Sequence, residues 1–127
     1  MIRPMVSLGV SDVSASATQY AEGFGWTLMR RDHDSAWFDW AGSILSLWDA
    51  TAFHSDIGGG RHARGGHVAL ACIAACEADA AEMVKRLQSA DWRTVRPLER
   101  TGHGGARAYL SDRDDHLWEV LWNPSLR

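Results

Sequence analysis

One pattern of apolar residues occurs twice along this chain. In residues 4–10, apolar side chains alternate with small or polar ones, which is typical of a strand, and residues 13–24 carry apolar side chains at the helical spacings of four, three and four. Both patterns return at residues 68–72 and 76–87, with an offset of 62 residues for the strand and 63 for the helix. Self-similarity at a fixed period indicates that one supersecondary unit is used twice.

The remaining residues complete two βαβββ modules. Further strands are predicted near residues 27–32, 36–40 and 43–48 in the first half, and near 93–98, 105–110 and 116–122 in the second. Asp12 or Ser14 can cap the first helix, and Gly23 and Gly25 can end it. At 127 residues the chain predicts one α+β domain, in which tandem βαβββ modules form a curved mixed β-sheet with helices outside.

A long connection separates the two modules. The predicted boundaries are a module at 1–49, a loop at 50–65 and a module at 66–127. Three consecutive glycines, residues 58–60, lie inside the loop. Because a connection of this length is either disordered or functional, we expect a mobile flap over a ligand cavity.

A hairpin near the end of the chain directs one carboxylate. Two apolar runs flank the polar residues 111–115, and together they predict two antiparallel strands joined by a turn. Side chains alternate along the second strand, so Glu119 shares a face with Leu117 and Leu121, opposite Trp118. A buried carboxylate must find a cation, a hydrogen-bond partner or a proton, which makes Glu119 the first candidate functional residue.

The same hairpin carries a family resemblance. Residues 112–120, Asp-Arg-Asp-Asp-His-Leu-Trp-Glu-Val, resemble the Asp-Pro-Asp-Gly-His-Leu-Trp-Glu turn and last strand of the glyoxalase, bleomycin-resistance and extradiol-dioxygenase proteins, the vicinal oxygen chelate superfamily. Residues 9–13, Gly-Val-Ser-Asp-Val, with Tyr20 after them, are similar to that family's first strand and helix. Arg113 and Asp115 stand where proline and glycine are usual; aspartate tolerates a left-handed backbone at a cost of about 1 kcal/mol.

The resemblance implies four candidate ligand positions, because the metal site of metal-binding relatives lies at the ends of equivalent strands in the two modules. These positions fall on Met5, His67, Ser46 and Glu119. A divalent metal that leaves a position open for substrate needs three or four nitrogen or oxygen ligands, and only His67 and Glu119 qualify. We therefore expect no metal cofactor, with a divalent metal on those two residues as the alternative. Without a metal, the pair could act as acid and base or simply satisfy each other.

Aromatic side chains provide the second candidate site. The chain has seven tryptophans, which either fill the core or line a cavity where rings stack on planar or cationic ligands. The candidate ligand-binding residues are Trp48, Ser46, Met5, Trp37, Trp40 and Tyr109. With the resemblance to the bleomycin-resistance branch, they predict a protein that binds a small planar or cationic molecule without chemistry. The alternative is a metal-dependent or acid/base lyase, isomerase or dioxygenase that uses His67 and Glu119. For Trp48 a competing interpretation is packing under the inter-module loop.

Composition limits the partners. A formal net charge of −3 and no clustered basic face argue against nucleic acid and anionic membranes. No apolar run is long enough for a signal peptide or a membrane span, so we expect a cytoplasmic protein. Cys72 and Cys76 fit neither a disulfide framework nor a zinc site and are predicted to be buried apolar groups. His33 and His116 are predicted surface residues at turns. The resemblance implies a homodimer, since relatives of this length pair modules across subunits.

Overall fold

The computed structural model describes residues 3–58, 68–102 and 104–126. In chain order the elements are β1 (Met5–Val10), α1 (Val13–Phe24), β2 (Leu28–Arg31), β3 (Ser35–Trp40), β4 (Ser43–Asp49), α2 (Ala50–Ile57), β5 (Ala69–Ile73), α3 (Glu77–Ser89), β6 (Arg93–Arg100), β7 (Ala106–Ser111) and β8 (Leu117–Trp122). The described residues divide into two compact units: unit 1 holds residues 3–21 and 25–58, and unit 2 holds 22–24 and 68–126. The predicted tandem βαβββ order and the α+β class are confirmed.

Unit 1 contains a four-stranded mixed sheet in the order β1-β4-β3-β2, with β1 parallel to β4 and the other pairs antiparallel. Asp12 caps α1, because its Oδ1 accepts the Ala15 N–H at 3.0 Å, and Gly25 ends the helix with a left-handed φ of 73°. Gly23 lies inside the helix and does not end it. The buried apolar side chains of this unit are Val10, Val13, Tyr20, Ala36, Phe38, Leu45 and Leu47.

Unit 2 contains a sheet of the same design in the order β5-β8-β7-β6. Its aromatic core joins Phe24 to Trp92 and Trp118, with ring centroids 5.2 and 4.9 Å apart. Trp92 and Trp118 are 3% and 0% exposed, so part of the tryptophan content fills the core. On α3, Ala80 and Leu87 are buried as the helical spacing predicts.

The prediction that both cysteines are buried is wrong. Cys76 is exposed and caps α3, since its Sγ accepts the Asp79 N–H at 3.4 Å. Cys72 is half-buried on β5. A capping residue turns its side chain back over the open end of the helix, which keeps it out of the core.

The two units match at an offset of 64 residues. Helices α1 and α3 begin 64 residues apart, at Val13 and Glu77, and strands β1 and β5 begin at the same interval. The offset of 62 predicted for the strand is therefore two residues short: the strand starts match Met5 with Ala69, whereas the sequence matched it with His67, which lies outside the described residues. Because two residues are one full period of a strand, the face on which each side chain lies is unchanged.

Residues 50–57 of the segment predicted as a loop form a helix, α2, and the expectation of a mobile flap stays a prediction. Asp49 Oδ2 accepts the Ala52 N–H at 3.0 Å, and Gly58 ends the helix with a φ of 94°. An aspartate before and a glycine after a run without proline are local signals for a short helix. Residues 59–65 of the predicted loop lie outside the described residues. No helix within the described ranges is long and apolar enough to cross a membrane.

Candidate ligand-binding faces

The candidate site in unit 2 is the sheet face that carries Glu119. Trp118 and Val120 are 0% and 1% exposed in the core, whereas Leu117, Glu119 and Leu121 are half-buried on the opposite face. This confirms the alternation predicted along β8. Glu119 makes no hydrogen bond or ion pair with another described residue. Glu119 is therefore partly exposed, whereas the sequence predicted a buried carboxylate.

An aromatic ring lies beside Glu119. Tyr109 on β7 is its antiparallel partner, and Ala71 on β5 is its parallel partner on the other side. Directly opposed residues on antiparallel strands hold their Cβ atoms about 5 Å apart. The Arg107 guanidinium lies over the Tyr109 ring, with Cζ 5.9 Å from the centroid. This face therefore brings a carboxylate, a phenol ring and a cation together.

Arg96 and Arg107 share the carboxylate of Glu99. Arg96 Nε lies 3.2 Å from Glu99 Oε1, and Arg107 Nη1 lies 3.4 Å from the same oxygen. The hydrogen bond from Arg96, followed by that from Arg107, lowers the pKa of Glu99 below its ordinary value of 4.5. The Arg107 side chain is 15% exposed and that of Glu99 is 50% exposed, so Arg107 is the less exposed member of the pair.

Unit 1 repeats this arrangement around Ser46. Ser46 lies between Ser7 on β1 and Trp37 on β3. The strand registers and the offset between the units match Ser46 with Glu119 and Trp37 with Tyr109. Ser46 is 2% exposed, so the hydroxyl of unit 1 is buried where the carboxylate of unit 2 is half-exposed.

The Trp37 ring is held by polar neighbours. Its Nε1 donates a hydrogen bond to Ser35 Oγ at 3.0 Å, and the Arg30 Cζ lies 5.7 Å from the ring centroid. Arg30 is 64% exposed and contacts Asp32 at 3.0 Å. Each unit thus pairs an arginine with the aromatic ring nearest its candidate site position.

Helix α2 packs against Trp48. The Trp48 and Phe53 rings are stacked, with centroids 5.1 Å apart and planes inclined by 24°. Phe53 also approaches Gly9, where an added Cβ would lie 3.2 Å from Phe53 Cδ2, so a residue without a side chain admits the helix. Trp48 lies on the face of Ser46 as predicted, and Phe53 of the inter-module segment stacks on its ring while Trp48 stays partly exposed.

Trp40 lies on the opposite face of the unit 1 sheet. Its ring centroid is 5.8 Å from that of Trp26, which in turn lies 6.5 Å from Tyr20. Trp37 and Trp40 are an odd number of positions apart on β3 and cannot share a face. The structure therefore brings together Trp37 and Trp48, but not Trp40.

Two grooves lie away from these faces. One of about 370 Å³ in unit 2 lies between β5 and α3, and one of about 460 Å³ in unit 1 borders Asp12 and Asp49. Both aspartates already cap helices. Neither groove includes Glu119 or Ser46, so these grooves do not account for the predicted site.

Both the sequence and the fold have known relatives. The profile of the Glyoxalase/Bleomycin resistance protein/Dioxygenase superfamily matches residues 3–120. The chain belongs to this superfamily. A glyoxalase-related enzyme from Fulvimarina pelagi is 34% identical, with a TM-score of 0.89 over 97% of this chain and 88% of that one.

More distant superfamily structures share the fold alone. A glyoxalase/bleomycin resistance protein/dioxygenase family enzyme from Burkholderia phytofirmans PsJN is 14% identical, with a TM-score of 0.82 over 93% of this chain and 95% of that one. Lactoylglutathione lyase from Agrobacterium tumefaciens is 18% identical, with a TM-score of 0.75 over 95% and 92%. No curated protein sequence matches the chain.

The metal positions implied by the superfamily carry a poor donor set in this chain. Met5, 46% exposed, offers a thioether, Ser46 a hydroxyl and Glu119 a carboxylate, while His67 lies outside the described residues. These groups do not fit zinc, nickel, manganese or iron(II), which need three or four nitrogen or oxygen ligands. In the part of the chain that the structure describes, no group of three His, Cys, Asp or Glu could hold a metal ion. The His67–Glu119 pair stays a prediction.

One polar pair, His116 with Asp112, was not predicted from the sequence. His116 Nδ1 lies 2.7 Å from Asp112 Oδ2, and Asp112 Oδ1 accepts the N–H groups of Asp114 and His116 at 2.9 and 2.8 Å. The His116 side chain is 25% exposed and that of Asp112 only 1%, so the prediction of a surface histidine is wrong, whereas His33 is 93% exposed as predicted. The sequence signal for this contact is an aspartate and a histidine four residues apart across a tight turn.

The protonated form of His116 is favoured by its neighbours. Burial lowers the pKa of His116, but the hydrogen bond with Asp112 and the negative charges of Asp112, Asp114 and Asp115 outweigh it and raise the pKa above 6.5. Asp115 adopts a left-handed φ of 66°, as predicted for this turn. The turn between β7 and β8 is therefore held by the buried side chain of Asp112.

Proposed function

We propose that this superfamily chain is a small-molecule binding protein, similar to the bleomycin-resistance branch, that holds a planar or cationic molecule against its aromatic sheet faces without a metal. The observation that carries the proposal is the pairing of Tyr109 with Glu119, a half-exposed carboxylate without a partner among the described residues. Stacking or a cation–π contact on such a ring contributes about 1 kcal/mol, and more when desolvated. The carboxylate favours cations over anions by simple Coulomb attraction.

The unit 1 face supports the same kind of ligand. Trp37 and the Trp48–Phe53 stack supply aromatic surface, while Ser46 and Met5 carry no charge. We therefore assign the preference for cations over anions to Glu119. We expect the protein to act in the cytoplasm as a homodimer, as the resemblance implies.

A matched pair of ligands tests this function. We expect 4-methylbenzylamine, a planar cation, to bind about five- to tenfold more tightly than 4-methylbenzoate, the matching anion. Calorimetric titration measures both dissociation constants, and tryptophan fluorescence follows the same titrations. Glu119→Gln removes the charge and should abolish the preference, because a neutral amide attracts neither ligand.

The control for this experiment is Glu22→Gln, which removes an exposed carboxylate from α1 and should keep the preference. Equal, weak binding of both ligands that Glu119→Gln leaves unchanged would rule out the binding function.

An enzymatic role is the second candidate, favoured by 34% identity to a glyoxalase-related enzyme. In that role Glu119 is a base or metal ligand together with His67, and Tyr109 donates a hydrogen bond to developing charge. Lactoylglutathione lyase shares the fold, so S-lactoylglutathione is the first substrate to test. Turnover that Glu119→Gln abolishes would replace the binding role, and its sensitivity to chelators would separate a metal mechanism from acid/base chemistry.

A further inference from the structure

We infer that the ligand of the unit 2 face carries a carboxylate as well as a cation, and that Arg107 binds this carboxylate. The inference rests on the proposed function and narrows its ligand class from planar cations to planar zwitterions. Glu119 receives the cationic end, Tyr109 the ring and Arg107 the anionic end.

Low exposure sets Arg107 apart from the other ion-paired arginines. The side chains of Arg30, Arg93, Arg96 and Arg100 are 64%, 70%, 59% and 80% exposed. That of Arg107 is 15% exposed. A guanidinium has five N–H donors, and donors that are withdrawn from water need other acceptors, so a largely covered arginine favours a ligand that supplies them.

The neighbours of Arg107 accept few of its hydrogen bonds. Its one hydrogen bond to a described residue is the 3.4 Å contact of Nη1 with Glu99 Oε1, and the same oxygen accepts Arg96 Nε at the shorter distance of 3.2 Å. Glu99 is half-exposed, and an ion pair with an exposed carboxylate is weak. One carboxylate between two guanidinium groups also leaves a net positive charge. Besides this bond the guanidinium contacts the Tyr109 ring, which accepts no conventional hydrogen bond, so its other donors have no acceptor among the described residues.

The strand register places the two charged residues as diagonal neighbours. Tyr109 is the direct partner of Glu119, and Arg107 is two positions along β7 on the same face, opposite Leu121. Diagonal neighbours lie roughly 7 to 8 Å apart, with their Cβ atoms somewhat closer. Both side chains are flexible, so one small ligand with an ammonium and a carboxylate at opposite ends of a benzene ring can contact both. The planar fork of arginine matches a carboxylate with two parallel hydrogen bonds.

Three ligands of one shape separate the contributions. They are 4-(aminomethyl)benzoate, a zwitterion, 4-methylbenzylamine, its cationic half, and 4-methylbenzoate, its anionic half. We expect the wild-type protein to bind the zwitterion at least about fivefold more tightly than the cation. Calorimetric titration of the full chain provides the three dissociation constants.

Arg107→Gln should move two of these constants in opposite directions. It should weaken binding of the zwitterion at least about fivefold, because the ligand's carboxylate loses its partner. It should strengthen binding of the cation, because a repelling charge is gone. A merely structural role would weaken both ligands together. Arg107→Lys keeps the charge without the fork and should retain part of the zwitterion affinity, and it serves as the test if the glutamine variant does not fold. Arg86→Gln, which removes an exposed arginine from α3, is the matched control.

The outcomes separate this inference from the proposed function. If the cation binds in a Glu119-dependent way but the zwitterion binds no more tightly, the binding function stands and the role of Arg107 is wrong. A zwitterion constant that Arg107→Gln leaves unchanged would overturn it as well. Failure of all three ligands to bind would overturn the binding function and this inference with it.

Discussion

At the scale of single residues, a buried aspartate makes the turn between β7 and β8 sensitive to the protonation of His116. Asp112 accepts two backbone N–H groups and contacts the imidazole, so a protonated His116 completes a charge-assisted hydrogen bond. Because the folded pKa is raised above 6.5, this stabilisation is complete below about pH 6.5 and is lost as the pH rises through the folded pKa.

We therefore expect His116→Gln to lower the free energy of unfolding by about 1–2 kcal/mol near pH 5.5 and by less near pH 8.5. Urea denaturation of both proteins across this range measures the difference. His33→Gln is the control, because that side chain is 93% exposed and lies 3.7 Å from Asp34. An effect of His116→Gln that does not change with pH would show that the charge on the imidazole is unimportant.

At the scale of elements, helix α1 contains a glycine for reasons of packing. A Cβ at Gly23 would lie 2.8 Å from both Leu87 Cδ2 and Trp92 Nε1. Leu87 and Trp92 are 0% and 3% exposed, so neither side chain has room to move away. The intrinsic preference of a helix for alanine over glycine, about 1 kcal/mol, is smaller than the usual cost of overpacking a core.

Gly23→Ala should therefore lower the free energy of unfolding, by about 1–3 kcal/mol. Gly102→Ala is the matched control and should have little effect, because no heavy atom lies within 4 Å of its added Cβ. Urea denaturation compares the two variants with the wild type. A Gly23→Ala protein as stable as the wild type would mean that unit 2 repacks around the new methyl group.

Helix α2 was not predicted from the sequence, although the signals for a short helix lie next to it in the chain. It has eight residues and none of them is buried. Such a short helix is marginal by itself, so it depends on the cap at Asp49 and on the stacking of Phe53 against Trp48. The glycine-rich residues that follow favoured a loop in the sequence, and the tertiary contact of Phe53 with Trp48 could not be known.

At the scale of the whole molecule, metal content is the first prediction. We expect the purified protein to hold no stoichiometric zinc, nickel, manganese or iron, because Met5 and Ser46 stand at two of the four positions that the superfamily resemblance implies. Elemental analysis by mass spectrometry measures this directly. About one such metal per chain, lost in a His67→Ala variant, would show that the missing ligands come from elsewhere.

Self-association is the second prediction at this scale. We expect analytical ultracentrifugation to find a particle of twice the 14.0 kDa chain mass. Ile73 on the edge strand β5 is 59% exposed, and Val68 before it is 74% exposed, which favours burial against a second copy. Ile73→Glu should then weaken the dimer, since a carboxylate would be buried. A wild-type particle of one chain mass would contradict the expectation.

The sequence by itself determined the elements and the family. The alternation in residues 4–10, the cap at Asp12, the terminating Gly25 and the left-handed Asp115 each depend on side chains within a few positions, so they could be predicted. The same alternation places Glu119 on the face of β8 opposite to that of Trp118. Most of the fold followed from such patterns, and Glu119 and Tyr109 of the unit 2 face were named from the sequence, whereas Arg107 was not.

Only the tertiary structure decided which side chains meet. The repeat offset changed from 62 to 64 for the first strand without disturbing any local pattern, because a shift of two residues keeps every side chain on its face. Arg107 pairs with Glu99 after two shifts in the register between β6 and β7, and no sequence pattern near either residue predicts these shifts. The pKa of His116 is raised because the fold brings Asp112 into contact with its imidazole. Register and the contacts of each side chain depend on the packing of residues far apart in the chain, whereas a local period gives only the face on which a side chain lies.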